Sequence, residues 1–251
     1  MRDDLTAIIL TLDEEQHLPG CLASLQRLDC AVVVLDSGSR DNTVSIAQAA
    51  GARIEARQFD GYANQRNAAL EMATTPWVLF IDADERLTPD GCAEIEAFLD
   101  GAANDVSTAR IPRHNIVFGR ALRGGGWWPD HQTRLLRRGE AVYDARRQVH
   151  EVVISSGRTV DLATPLIHLN YETRAEFVAK QQRYTERSAQ QSIAEGHVPR
   201  RRAYLSAPVR ELVRRFVQLH GYRDGTTGLF LASVLAIEQV RWVRLCRQGA
   251  Q

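Results

Sequence analysis

Asp82 and Asp84 follow the apolar run Trp77–Ile81, with Glu85 next in line, so the stretch TTPWVLFIDADERLTP (residues 74–89) gathers three carboxylates where a strand buried on both faces would end. In an extended chain residues i and i+2 point to one side. Asp82 and Asp84 can therefore address a common point, with the small Ala83 turned away. Two hard oxygen ligands suit Mg²⁺ or Mn²⁺, with water and substrate phosphates completing the shell. A solvated turn would use the same residues. What sets this one apart is its company: TAIILTL runs into Asp13, Glu14 and Glu15, and AVVVLD ends in Asp36 and SGSRDNT.

In DSGSRDNT (residues 36–43), Asp36 sits where a base or ribose can be held. Ser37, Gly38 and Ser39 allow a tight turn in which Gly38 can take positive φ, and Asp41 or Asn42 can cap the helix that follows. The capping chemistry accounts for Asp41 to Thr43 but not for Asp36.

The elements that must position these groups alternate. Strands are expected at 6–12, 31–36 and around WVLFIDAD, with a weaker one at ARIEAR. Between them lie helical patterns, in which Leu18, Leu22, Leu25 and Leu28 share a face and YANQRNAALEMA forms a second helix. Alternation of this kind predicts a mostly parallel α/β sheet with crossover helices, covered on both faces. Ligands in such sheets bind beyond the carboxyl ends of the strands, where these acids lie. After residue 105 the pattern becomes strand and turn, with a Gly-rich aromatic segment RGGGWWPD and strand-like pieces at TRLLRR, HEVVI and PLIHLNY. A helix is expected from Arg174 to Glu195, with Phe177, Gln181, Tyr184 and Ser188 along one face. Beyond residue 200, Leu205, Val209, Leu212, Phe216 and Leu219 fall at helical steps; GYRDGTTG then interrupts, and a second helix follows.

With 251 residues and 44% hydrophobic content the chain can build one sizeable α/β domain or a domain with an appendage. Equal numbers of basic and acidic residues, 31 each, argue against a nucleic-acid partner. Four cysteines without CxxC or zinc spacing read as reduced, packed thiols of a cytoplasmic protein. No segment has the ~18 apolar residues of a transmembrane helix, and the N-terminal apolar stretch is too short for a signal peptide.

Taken in order, AIILTLDEEQHLPGCLASL, VVVLDSGSRDNT, GYANQRNAAL and WVLFIDADE resemble the inverting family-2 glycosyltransferases of the GT-A fold. GWWPDHQTRLLRRG…VHE and PVRELVRRFVQLHGYRDGTTGL resemble the bacterial branch that adds a hexose to lipopolysaccharide core heptose. The likeness runs over nearly the whole chain, with Asp13 standing where the family usually has Asn. It implies a GT-A (Rossmann-like) α/β fold with a nucleotide-sugar-binding half at 1–125, an acceptor half at 126–198 and an amphipathic helical segment at 199–251.

The resemblance also implies roles. Thr11, Asp13, Glu15 and Asp36, with the Ser37–Gly38 turn, would hold the uridine and ribose of a UDP-sugar. Arg66 and Asn67 would lie near the base or the diphosphate. Asp82, with Ala83 beside it, would touch the ribose or, through water, the metal, and Asp84 would ligate the Mg²⁺ or Mn²⁺. Asp130 becomes the candidate base, on a loop stiffened by Pro129, with Trp127 and Trp128 as flat faces for a sugar. Arg134 would steady Asp130 or contact a phosphate. His150 would complete the metal shell or meet the diphosphate, Glu151 would orient it or bind acceptor, and His168 is a weaker version of His150. Gln181, Arg183 and Tyr184 echo the Q-x-x-R-W element of processive members at the wrong spacing, and read as packing.

The implied reaction moves a hexose, with glucose as the best match, to a glycolipid acceptor, the lipopolysaccharide core heptose or alternatively a lipid-linked exopolysaccharide intermediate. A nucleotidyltransferase would need a Gly-rich basic phosphate loop after the first strand, where this chain has the anion-repelling DEEQ. A glycoside hydrolase would need two carboxyls flanking the bond and no cation for a leaving group. A non-catalytic membrane module would need no acids at three strand ends. The arginines off the apolar face of the C-terminal helices suit an anionic lipid surface, giving an enzyme peripheral on the inner face of the cytoplasmic membrane.

Overall fold

The structure is a computed structural model that describes residues 2–146 and 152–249. In chain order the elements are β1 Arg2–Thr11, α1 Leu18–Leu25, β2 Cys30–Asp36, α2 Thr43–Ala49, β3 Arg53–Ala56, α3 Tyr62–Met72, β4 Trp77–Phe80, β5 Glu85–Arg86 and α4 Pro89–Gly101. Next come β6 Val106–Val117, β7 Arg120–Ala121, β8 Asp130–Arg137, β9 Ala141–Tyr143, β10 Val153–Ser155, β11 Arg158–Asp161 and β12 Leu166–Tyr171. Helices α5 Arg174–Ala194, α6 Ala203–Leu212 and α7 Gly225–Gln248 complete the chain. The chain forms two compact, discontinuous units, Met1–Arg113 with His131–His168 and His114–Asp130 with Leu169–Gln251, whereas the expected segments 1–125, 126–198 and 199–251 are continuous.

The sheet order is β3-β2-β1-β4-β8-β6-β12-β5, with β7 and β11 paired to β6. β1, β2, β3 and β4 pair in parallel, as the alternating pattern requires, while β8 joins β4 antiparallel. The period of two in β1 and β4 sends alternate side chains into two cores. Leu5, Ala7, Ile9, Leu79 and Ile81 pack on one face with Leu18, Leu22 and Leu25 of α1 and Ile95 and Leu99 of α4. Ile8, Val78 and Phe80 pack on the other face with Ala69 and Leu70 of α3. A strand with apolar residues at every position is thus buried on both sides, which explains the uninterrupted run before Asp82. α4 has no counterpart among the expected elements, although its start is legible: Pro89 occupies the first turn and Thr88 accepts the Gly91 N–H at 3.1 Å.

In the second unit Val117, Leu122, Tyr171, Phe177 and Leu231 form a core. Glycine is required at the turn before Trp127. Gly125 has φ 68°, its N–H donates to Leu219 O at 2.7 Å, and a Cβ on Gly124 would stand 2.2 Å from His220 O. Asp224 accepts from the N–H of Arg123 (2.8 Å) and of Gly124 (3.0 Å), and Arg215 donates to Gly125 O at 2.8 Å.

Two helix faces are unevenly covered. On α5 only Phe177 and Ala189 are buried, while Tyr184 and Ser188 are exposed, because the helix touches its core at one end and along the α7 side only. On α6 and the π-helical turns Val213–Gln218, Leu205 is 79% and Val209 60% exposed, since α6 turns Ala207 inward.

Candidate active site

The site is built at the carboxyl ends of β1, β2 and β4. Thr11, the last residue of β1, donates its hydroxyl to Asp36 Oδ1 at 2.9 Å, and both are buried. The N–H groups of Gly38 (2.9 Å) and Ser39 (2.8 Å) donate to Asp36 Oδ2, and the Ser39 hydroxyl donates to Oδ1. Burial pushes the Asp36 carboxyl up, but these hydrogen bonds outweigh it and hold the group below the usual aspartate range. Gly38 sits at φ 99°, so the tight turn expected there is formed and needs its glycine.

Asp13 and Glu15 lace this turn to the end of β1. Asp13 Oδ1 accepts the Arg40 N–H at 2.7 Å, the Asp13 N–H donates to Ser39 Oγ at 2.9 Å, and Glu15 Oε2 accepts the Asn42 side-chain amide at 2.8 Å. Asp41 accepts the N–H of Glu15 (3.0 Å) and of Thr43 (2.9 Å), thereby capping α2. The acids that repel a phosphate loop are therefore consumed in joining two loops. Gln65, not singled out in the sequence, is buried and donates to Ser37 Oγ (3.2 Å) and Arg57 O (3.1 Å), tying α3 to the same turn.

At the end of β4, Asp82 and Asp84 have different partners. Asp82 receives Arg66 at 2.9 Å on Oδ1 and Arg134 at 2.5 Å on Oδ2. Desolvation works against its charge, but Arg134 and Arg66 prevail and keep its carboxyl well below the ordinary range. Arg134 also pairs with Glu85, which is fully buried and accepts the Asp82 N–H at 3.0 Å; Arg113 lies 3.7 Å from it. Burial pushes the Glu85 carboxyl up despite these arginines. Arg66 in turn lies over the rings of Phe80 (5.2 Å) and Tyr143 (5.5 Å).

Asp84 has no arginine or lysine partner among the described residues. Its Oδ2 is 3.2 Å from His168 Nε2, delivered by β12, which pairs antiparallel with β5 through His168 and Glu85. The Asp84 carboxylate with the His168 imidazole beside it is an N,O pair that can contribute to a divalent-ion shell when phosphate oxygens and water supply the rest. Among the described residues no three His, Cys, Asp or Glu side chains form a cage of their own. The pair therefore fits an ion shared with a diphosphate. His150 and Glu151 lie outside the described residues.

Three expected positions differ. Arg134, expected to steady Asp130 or contact a phosphate, is 3% exposed and spent on Asp82 and Glu85, because it lies in the middle of β8 facing those strand ends. Asn67, expected near base or diphosphate, uses both ends of its amide on the backbone of Tyr143, at 2.9 and 2.8 Å, and so extends β9. Trp127, expected as a sugar platform, packs edge-on against Tyr171 in the second unit's core. Trp128 is half-buried, 4.9 Å from the ring of His114. Asp130 opens β8 rather than sitting in a loop, and the buried Asn115 donates to its Oδ2 at 3.3 Å and to Trp127 O at 2.8 Å. Asn115 and Gln65 have no role that the sequence suggests, and Glu85 gains one only through Arg134. Only the third-carboxylate position of Glu85 carried a signal in the sequence.

Comparison with known proteins places the chain in a family. The family described as Glycosyl transferase family 2 matches residues 6–159. A Rhizobium meliloti (strain 1021) protein named lipopolysaccharide core biosynthesis glycosyltransferase LpsC is 31% identical over 240 residues, covering 93% of this chain and 88% of that one. An uncharacterized glycosyltransferase of Rickettsia bellii (strain RML369-C) is 28% identical over 205 residues, 78% of this chain and 69% of that one. The solved structure of the mannosyltransferase PcManGT from Pyrobaculum calidifontis, in complex with GDP-Man and Mn²⁺, superposes with TM-score 0.55 at 14% identity, over 97% of this chain and 88% of that one. With the family matched across more than half its length and the sheet that the sequence pattern requires, the chain belongs to glycosyl transferase family 2 and is a glycosyltransferase of the GT-A fold.

Proposed function

We propose that this enzyme transfers a hexose, glucose in the first instance, with inversion from a UDP-sugar to a glycolipid acceptor such as the heptose of the lipopolysaccharide inner core. The observation that carries the metal-dependent part is the contrast at the end of β4: Asp82 is neutralised by two arginines while Asp84, among the described residues, meets His168 and no arginine. Asp84 and His168 would hold Mg²⁺ or Mn²⁺, which when bound supplies the positive charge that makes a nucleoside diphosphate a good leaving group. Asp36, whose carboxylate accepts from Thr11, Gly38 and Ser39, holds the Ser37–Gly38 turn in the shape that meets the ribose. Asp130 takes the proton from the acceptor hydroxyl as the new bond forms, with Asn115 orienting its carboxylate. Trp128 presents a half-exposed ring to the acceptor sugar. The acceptor class is supported by the extent of likeness to the lipopolysaccharide core enzyme.

An acceptor carried in a membrane would require attachment there. No helix among the described residues is long and apolar enough to cross a membrane. Leu205, Val209, Val213 and Val217 instead form an exposed apolar row at four-residue steps, next to exposed Arg200, Arg201, Arg202 and Arg210. An apolar stripe edged by arginines fits shallow insertion into an anionic lipid surface.

Titration calorimetry with UDP, with and without Mn²⁺, tests the donor side. Wild type should bind only with metal, and Asp84→Ala should lose that binding. Metal-independent binding, or binding retained in Asp84→Ala, would remove Asp84 from the ligand role.

A further inference from the structure

The second unit contains a cavity of about 700 Å³ that the donor chemistry does not use. Its walls carry Arg120, Arg123 and Arg223, three exposed guanidinium groups with no carboxylate partner among the described residues. The single acid of the lining is Asp224, and both its oxygens already accept backbone N–H groups, those of Arg123 and Gly124. Three arginines against one engaged carboxylate leave an uncompensated positive charge inside a concavity, where field is focused and guanidinium groups favour phosphate or carboxylate. The first turn of α7 opens onto the same space, and Asp224 at its head makes no side-chain capping bond to it. The volume lies in the ~300–1,000 Å³ range of small-molecule sites, larger than one phosphate needs and suited to a sugar bearing one. The cavity also adjoins the acceptor machinery of its own unit. His114 lines it, lies 4.9 Å ring to ring from Trp128, and precedes the Asn115 that bonds Asp130.

We propose that this cavity binds an anionic substituent of the acceptor saccharide, a phosphate ester or a sugar carboxylate, and so sets which acceptor hydroxyl reaches Asp130. The inference rests on the glycosyltransferase reading and names the acceptor's chemistry within it.

The test is a titration of the full chain with glucose, glucose 6-phosphate and glucuronate, followed by ligand-observed NMR, for wild type and for Arg123→Gln/Arg223→Gln. At least one charged sugar should bind tenfold or more tighter than glucose, and the double variant should weaken that binding at least fivefold. A preference for glucose 6-phosphate identifies a phosphate ester, and one for glucuronate a carboxylate. Equal binding of glucose and both anions, or charged-sugar binding unchanged in the variant, would overturn the proposal. UDP with Mn²⁺, titrated into the same samples, separates the two readings. A wild type that fails to bind UDP defeats the donor assignment while the sugar titration still reports on the cavity, and a variant that retains UDP binding is folded. Because the substituted arginines are exposed, their removal leaves the core untouched.

Discussion

Arg134 is a buried cation between Asp82 and Glu85, and its removal would leave two carboxylates sharing a desolvated site with too little positive charge. Breaking such a cluster by deleting one partner costs about 3–5 kcal/mol. Arg134→Met should therefore lower stability by that order in urea unfolding, and a loss below about 1 kcal/mol would show that Arg66 and Arg113 suffice. Asp36 makes a pH prediction. Its folded carboxyl is depressed below its unfolded value, so it adds stability above the ordinary aspartate range, near pH ~4, and that contribution is lost as pH falls through the lower folded value. Urea midpoints recorded from pH 6 down to pH 2.5 should fall less steeply for Asp36→Asn than for wild type. Identical slopes would show that the hydrogen bonds from Ser39, Gly38 and Thr11 do not favour the ionised form.

Among the elements, the turn at residues 123–126 links the strand part of the second unit to its helices. Gly124 packs against His220 O so closely that a methyl group would need the backbone to move. Gly124→Ala should cost about 1–3 kcal/mol, the usual penalty for forcing extra carbon into a packed site, read as a lowered Tm. If the Tm is unchanged, the contact between Gly124 and His220 is slack in solution. Element β9 is held differently. It is three residues long, and Asn67 of α3 supplies the hydrogen bonds that a neighbouring strand would otherwise make to Tyr143.

For the molecule as a whole, the exposed row Leu205, Val209, Val213 and Val217 is apolar surface that helix packing leaves uncovered. If it seats on lipid, wild type should co-sediment with phosphatidylglycerol vesicles and not with phosphatidylcholine vesicles. Leu205→Glu/Val209→Glu should remain in the supernatant with both while keeping UDP binding. Vesicle binding that survives the double substitution would assign the attachment to the arginines alone. The four cysteines form no disulfide with one another, and burial pushes the Cys30 thiol up to about 11.

The sequence by itself determined the parallel core and the acids at its strand ends. Those features are written locally: runs of aliphatic residues with helical patterns between them leave few ways to cover both faces of a sheet, and the acids follow at the strand ends. Asp36, Asp82 and Asp84 are legible for that reason, and so is the Gly38 turn. Only the tertiary structure decided which carboxylate meets arginines and which meets a histidine. Asp82 and Asp84 look alike in DAD. They differ because Arg66 comes from α3 and Arg134 from β8, while His168 arrives on β12, 84 residues after Asp84. Trp127 and Trp128 also read alike and are both half-buried, but the first packs against the second unit's core and the second lies beside His114. Partners that meet across such separations leave no periodicity in the chain, because their proximity is a property of the sheet order and not of their spacing.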